Sequence, residues 1–141
     1  MQKLSTDIRA LNSHAGLIDW MRSADRQQIS EWLRFRMSLI HEEYSEGVTA
    51  LDTNNNAEFV DAMIDIMVIA SGTLDALDVD LQAAWDAVHT ANMTKVPGIK
   101  PGRPNPLGLP DLTKPVSWVE PNHSNNTGIL MDLITGDKYG K

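Results

Sequence analysis

Glu42, Glu43 and Glu46 lie together, and Glu58, Asp61 and Asp65 form a second acidic group a short distance along the chain. Side chains three and four residues apart share one face of a helix. Two adjacent helices can therefore each turn a row of carboxylates toward the other. Like charges held that close resist ionisation, and a divalent cation relieves them. Hard oxygen donors suit Mg²⁺, which keeps several waters and is commonly shared with substrate phosphate. From Met37 to Thr94 there is no lysine or arginine to neutralise the rows. A solvated acidic face is the ordinary alternative for a charge run. Against it, the second row is embedded in an otherwise apolar segment, AEFVDAMIDIMVIASG.

The positive side chains stand on either side of this acidic centre. Asn92 and Lys95, in HTANMTKV, are one turn apart and can point the same way. A lysine ammonium is a good point-charge partner for phosphate, although a lysine at a helix end also complements the helix dipole. Lys100, Arg103 and Lys114 follow in the proline-rich tail, where Arg103 and Lys114 are candidates for the rim of an anion site. The tryptophans are scattered, and Trp32 and Trp85 fit core positions. His41 and His89 sit beside the acidic rows, but neither completes the Glu-x-x-His motif of a di-iron bundle. P-loop and Gly-x-Ser-x-Gly motifs are absent from the sequence. Without cysteine, thiolate metal sites and disulfides are excluded.

The elements that must position these groups are helical. Ser5 to Met21 reads as a short helical stretch with Gly16 as a break. A longer helix starts at Ser23 or Asp25, either of which can cap it. It carries Ile29, Trp32, Leu33, Leu39, Ile40, Tyr44, Val48 and Leu51 at an approximate 3.6-residue period. The polar run TNNN at 53–56 ends it, and Asn55 or Asn56 can cap the next helix. That helix is apolar nearly all round, which implies burial on most sides and, in so small a chain, a subunit interface. Asp80 precedes a last helix with Leu81, Ala84, Trp85 and Val88 facing inward. All seven prolines lie between Pro97 and Pro121, so residues 1–96 read as a helical domain. Residues 97–141 read as an irregular extension packing on that domain or on a neighbouring subunit. A hairpin around Val116–Val119 and Ile129–Ile134 is the main β-candidate. The net charge of −7 and pI near 4.9 disfavour nucleic acid and anionic membranes as partners. IMVIA at 66–70 is too short to span a bilayer, and MQKLSTDIRALNSH lacks the apolar run of a secretion signal. A cytoplasmic protein is expected.

The strings LRFRMSLIHEEYSEGVTAL, DAMIDIMVIASGTLDALDVD and AWDAVHTANMTKV together resemble the all-α NTP pyrophosphohydrolase superfamily. The likeness is to its MazG-like and phosphoribosyl-ATP-pyrophosphohydrolase-like members, and covers about residues 25–96. Many such members are phage-borne, which would place this one in a host cytoplasm. The family pattern is Glu-x-x-Glu, a spacer, then Glu-x-x-Asp. Glu43 and Glu46 match the first pair, with Glu42 just before it. Asp65 matches the closing aspartate, which puts Ala62 where the family usually has glutamate. Asp61 or Glu58 can stand in; alternatively, Glu58-x-x-Asp61 is itself the motif, with a short spacer. Asn92 and Lys95 match the family's phosphate-contacting helix end.

The resemblance implies a four- to five-helix bundle completed by oligomerisation, as homodimer or homotetramer. It also implies hydrolysis of a nucleoside triphosphate to monophosphate and diphosphate. Metal ligands would be Glu43, Glu46, Asp61 and Asp65, with Glu58 in reserve. The ion would be Mg²⁺, or Mn²⁺ in its place. Glu42 or Glu43 would act as base, while Asn92, Lys95, Arg103 and Lys114 would bind substrate. Phage-borne relatives suggest a deoxynucleotide-pool role, with dGTP the first substrate to try. Two rivals stand beside this reading: a non-catalytic acidic inhibitor whose carboxylates spread over the surface, and an enzyme of the same fold acting on phosphoribosyl-ATP.

Overall fold

The computed structural model describes residues 2–135; the last six residues of the expected extension lie outside them. Six helices and one small two-stranded sheet form in the order α1 (Gln2–His14), α2 (Leu17–Ser23), α3 (Arg26–Asp52), α4 (Asn56–Ala76), α5 (Leu81–Met93), β1 (Val96–Gly98), β2 (Asp111–Thr113) and α6 (Leu130–Thr135). The fold is all-α, as the periodicity predicts. No helix among the described residues is long and apolar enough to cross a membrane.

Local chemistry sets the helix boundaries. Gly16 takes a left-handed conformation (φ 72°) and separates α1 from α2, at a backbone angle that costs other residues dearly. Asp25 begins α3 with a capping box: its carboxylate accepts from the Gln28 backbone N–H, and the Gln28 side chain accepts from the Asp25 N–H. Asn54 turns the chain at φ 54°. The Asn55 side chain then caps α4 by accepting from the Glu58 N–H.

The chain forms two compact units, residues 1–81 with 127–141, and residues 82–126. In the first, α3 and α4 form an antiparallel hairpin with α1 and α2 packed on α4. Its core gathers Met21, Ile29, Ala76 and Leu77, with Trp20, Trp32, Leu33, Ile129 and Leu133 packed around them. Gly128 (φ 51°) lets the returning chain pass the end of α4, where the Ile129 N–H donates to the Leu77 carbonyl. A Cβ at Gly128 would run into that carbonyl oxygen.

The second unit holds α5 and the sheet. Val96, Pro97 and Gly98 pair antiparallel with Thr113, Leu112 and Asp111. This corrects the expected hairpin. Residues 116–119 form no strand, and Ile129–Ile134 falls almost wholly in α6. The pairing partner of Val96–Gly98 is Asp111–Thr113, so the β-branched composition at Val116–Val119 does not make a strand there. Pro97 is tolerated because a two-stranded ribbon has open edges that need no donor there. Trp85 and Val88, expected to face inward on α5, are exposed, and Trp85 stacks instead on His89.

Candidate metal centre and cation cluster

Glu42, Glu43 and Glu46 project from the middle of α3, and Asp61 and Asp65 from the facing half of α4. The hairpin brings them level because α3 ends and α4 starts around one tight polar turn. The two helices pack tightly at Gly47 and Ala62. A Cβ on Gly47 would meet the Ala62 Cβ at 3.6 Å and the Met63 Cε at 3.1 Å. Ala62 is 2% exposed. The position where the family usually carries glutamate is thus the packing point of the hairpin, with no room for a carboxylate.

Glu43 is the electrostatic centre of the group. Partial desolvation holds its proton more tightly than usual, followed by the charges of Glu46, Asp65, Glu42 and Asp61. Carboxylates from both helices therefore act on one side chain. Glu58 is not among them; it lies in the first turn of α4, two turns from Asp65. None of these carboxylates forms an ion pair with lysine, arginine or histidine among the described residues. As the side chains stand, no three histidine, aspartate or glutamate groups among the described residues are close enough to hold an ion. The donor chemistry nonetheless fits a hard divalent cation: oxygen ligands only, excess negative charge and no competing cation.

α1 and α4 are tied by a buried polar latch that single-sequence reading misses. Asp75 reads as a loop or surface residue, yet it lies inside α4 and is buried. It receives the Asn12 amide at 2.7 Å and the Arg9 guanidinium at 3.0 Å. Asn12 also donates to the Gly72 carbonyl at 3.0 Å. From α3, Arg36 donates to the Ile69 carbonyl and the Thr73 hydroxyl, each at 2.9 Å, and lies over the Trp32 ring. Burial pushes its proton affinity down. These bonds fix α4 lengthwise against α1 and α3, and hence the level at which Asp61 and Asp65 meet Glu43.

In the second unit, the Lys95 ammonium donates to the Asn92 side chain at 2.8 Å and lies 5.6 Å from the Trp118 ring centroid. Lys114 lies 4.0 Å from the same centroid. The Trp118 indole N–H donates to the Ala91 carbonyl at 2.8 Å, pinning the ring to α5. Arg103 is placed apart from them. It contacts Asp111 at 2.7 Å, and Lys100 contacts the same carboxylate at 3.1 Å. The Leu112 backbone N–H and Lys100 hold the Asp111 carboxyl below its usual range. Arg103 is thus already neutralised, whereas Lys95 and Lys114 are not.

No curated protein matches the chain. A family model described as phosphoribosyl-ATP pyrophosphohydrolase matches residues 16–92, more than half of the sequence. The match includes both acidic rows and Asn92; Lys95 and the whole tail lie beyond it. The family is one of divalent-metal-dependent pyrophosphohydrolases, in keeping with the oxygen-only donor set on α3 and α4. With its mostly helical fold and paired acidic rows, this chain belongs to the phosphoribosyl-ATP pyrophosphohydrolase family, within the MazG-like all-α NTP pyrophosphohydrolase superfamily.

Proposed function

We propose that the protein is a nucleoside-triphosphate pyrophosphohydrolase that converts a deoxynucleoside triphosphate and water to the monophosphate and diphosphate. The observation that carries this reading is the family match over residues 16–92, which takes in acidic rows on two packed helices whose charges act together on Glu43. A protein that only mimics nucleic-acid charge has no use for such self-repulsion and would spread its acids apart.

Glu43, Glu46, Asp61 and Asp65 would hold Mg²⁺, or Mn²⁺. The bound ion supplies neutralisation of phosphate charge and easier ionisation of water. Glu42 or Glu43 accepts the proton of the water that attacks the α-phosphorus. The bond to the bridging oxygen breaks, and diphosphate leaves with the electron pair. Phosphoryl chemistry of this kind needs charge neutralisation and alignment more than covalent help. Asn92 and Lys95 serve as phosphate contacts. A deoxynucleotide-pool role makes dGTP the first substrate to test.

A second reading has one specific support, the description of the matched family: the same bond would be cleaved in phosphoribosyl-ATP. One panel separates the two. Each dNTP, each NTP and phosphoribosyl-ATP is incubated with Mg²⁺ and the wild type or Glu46→Gln. The first reading predicts turnover of dNTPs, led by dGTP, that the variant loses. Turnover of phosphoribosyl-ATP alone would establish the second.

The exposed apolar side chains of α4 support a homodimer or homotetramer. Val60, Ile64 and Met67 recur at helical spacing and are all at least half exposed. A contiguous stripe of this kind is a usual mark of an interface.

A further inference from the structure

The second unit holds a groove of about 610 Å³. Residues of α5 line one side of it, and residues 117–122 of the extension line the other. Both segments belong to one compact unit. The Trp118 indole N–H donates to the Ala91 carbonyl and ties the two segments together, so the groove is formed before any ligand arrives. Ala87, Ala91, Val119 and Pro121 supply an apolar lining. Each side also adds one carboxylate, Asp86 from α5 and Glu120 from the extension. Neither forms an ion pair among the described residues. No lysine, arginine or histidine lines the groove, and Lys95 and Lys114, which approach the Trp118 ring, stand outside it.

This lining selects a ligand by charge and by shape. Two carboxylates without a cation call for positive charge. A hydrated metal ion is a poor fit, because the apolar lining would strip its waters without replacing them. An aliphatic diamine meets both demands. Each ammonium donates to a carboxylate in a charge-assisted hydrogen bond, and the methylenes between them lie on apolar surface. The Thr90 and Ser117 hydroxyls offer acceptors for the remaining ammonium protons. We propose that the groove between α5 and residues 117–122 is a binding site for an aliphatic di- or triamine, with Asp86 and Glu120 as its charge partners. Glu120 lies well past the family match, which ends at residue 92, so half of this site belongs to the proline-rich extension. The site shares no residue with the acidic rows on α3 and α4, and it does not depend on the nucleotide reading.

The test is titration calorimetry of the full chain with 1,4-diaminobutane and with spermidine, in metal-free buffer at low salt. Wild type should bind both, and should bind 1-aminobutane far more weakly, since one ammonium satisfies one carboxylate. Asp86→Asn and Glu120→Gln should each weaken binding by about fivefold, the loss expected of one solvent-screened ion pair. The double variant should bind neither amine. Ala87→Leu, which fills the groove and leaves the charge unchanged, should also weaken binding; if it fails to fold, the charge variants decide alone. Glu31→Gln and Glu46→Gln, equal charge losses on α3, should bind as wild type does. Equal weakening by those two would show general attraction to an acidic protein and overturn the site. So would no binding by wild type, equal affinity for 1-aminobutane, or unchanged affinity in the double variant. Binding of a trilysine peptide but of neither amine would overturn it as well, and would assign the groove to a protein partner.

Discussion

A carboxylate with four like-charged neighbours and no cation among them binds its proton more tightly in the native chain than in the unfolded one. Glu43 is in that situation. The sign of the pH dependence follows. The stabilising contribution of its bound proton is fully present below the ordinary carboxylate range and is lost as pH rises through the raised value. In EDTA, Glu43→Gln should melt above wild type at about pH 8, and the gap should close toward about pH 4. Because Glu43 is only half-buried, solvent screens the effect and the shift should be small. Added Mg²⁺ should raise the melting temperature of wild type more than that of the variant, since binding to the native state alone stabilises it. An Mg²⁺ response unaltered by the substitution would remove Glu43 from the metal site. The acidic rows were legible in the sequence because helical spacing is a local property. The Asp75 latch was not, since Arg9 and Asn12 lie more than sixty residues away along the chain and nothing in the spacing links them.

Each helix boundary tells the same story one level up. Asp25, Asn55 and Gly16 act on backbone groups within a few residues, so caps and breaks could be read directly. Crossing points could not. Ala62 reads as a defect in the motif, but the structure makes it the place where α4 touches Gly47 of α3. Ala62→Glu should therefore not restore a better site. It should destabilise the fold by about 1–3 kcal/mol through overpacking alone, and lower activity. Higher activity with an unchanged melting temperature would show that the hairpin has room for the missing carboxylate. Asp75→Asn should be damaging, because Asp75 is buried inside α4. It leaves Arg9 without its buried partner and should cost roughly 2–3 kcal/mol, moderated because Arg9 is itself 45% exposed. Denaturant melts will measure it. The hairpin expected at Val116–Val119 failed for a related reason: β-branched composition is a weaker determinant than the partner a segment meets, and here the pairing is taken by Val96–Gly98 and Asp111–Thr113.

For the molecule as a whole, the apolar character of α4 has two destinations. Ile69 and Ala76 are buried within the first unit, while Val60, Ile64 and Met67 remain exposed. A second copy of the chain covering that stripe accounts for an otherwise costly surface. Ile64→Lys should then shift the sedimentation profile from oligomer to monomer; a wild type that sediments as a monomer at micromolar concentration would contradict the assembly. The central claim, however, is the bond that is broken. The most direct measurement is hydrolysis of dGTP with Mg²⁺ in ¹⁸O-labelled water, with products resolved by mass spectrometry and Asp65→Asn as control. The account predicts dGMP carrying the label and unlabelled diphosphate, with a rate loss in Asp65→Asn of about 100-fold or more, beyond the 10- to 100-fold typical of residues that only support a metal ligand. Formation of dGDP and orthophosphate, label in the diphosphate, or no turnover of any nucleotide would contradict it.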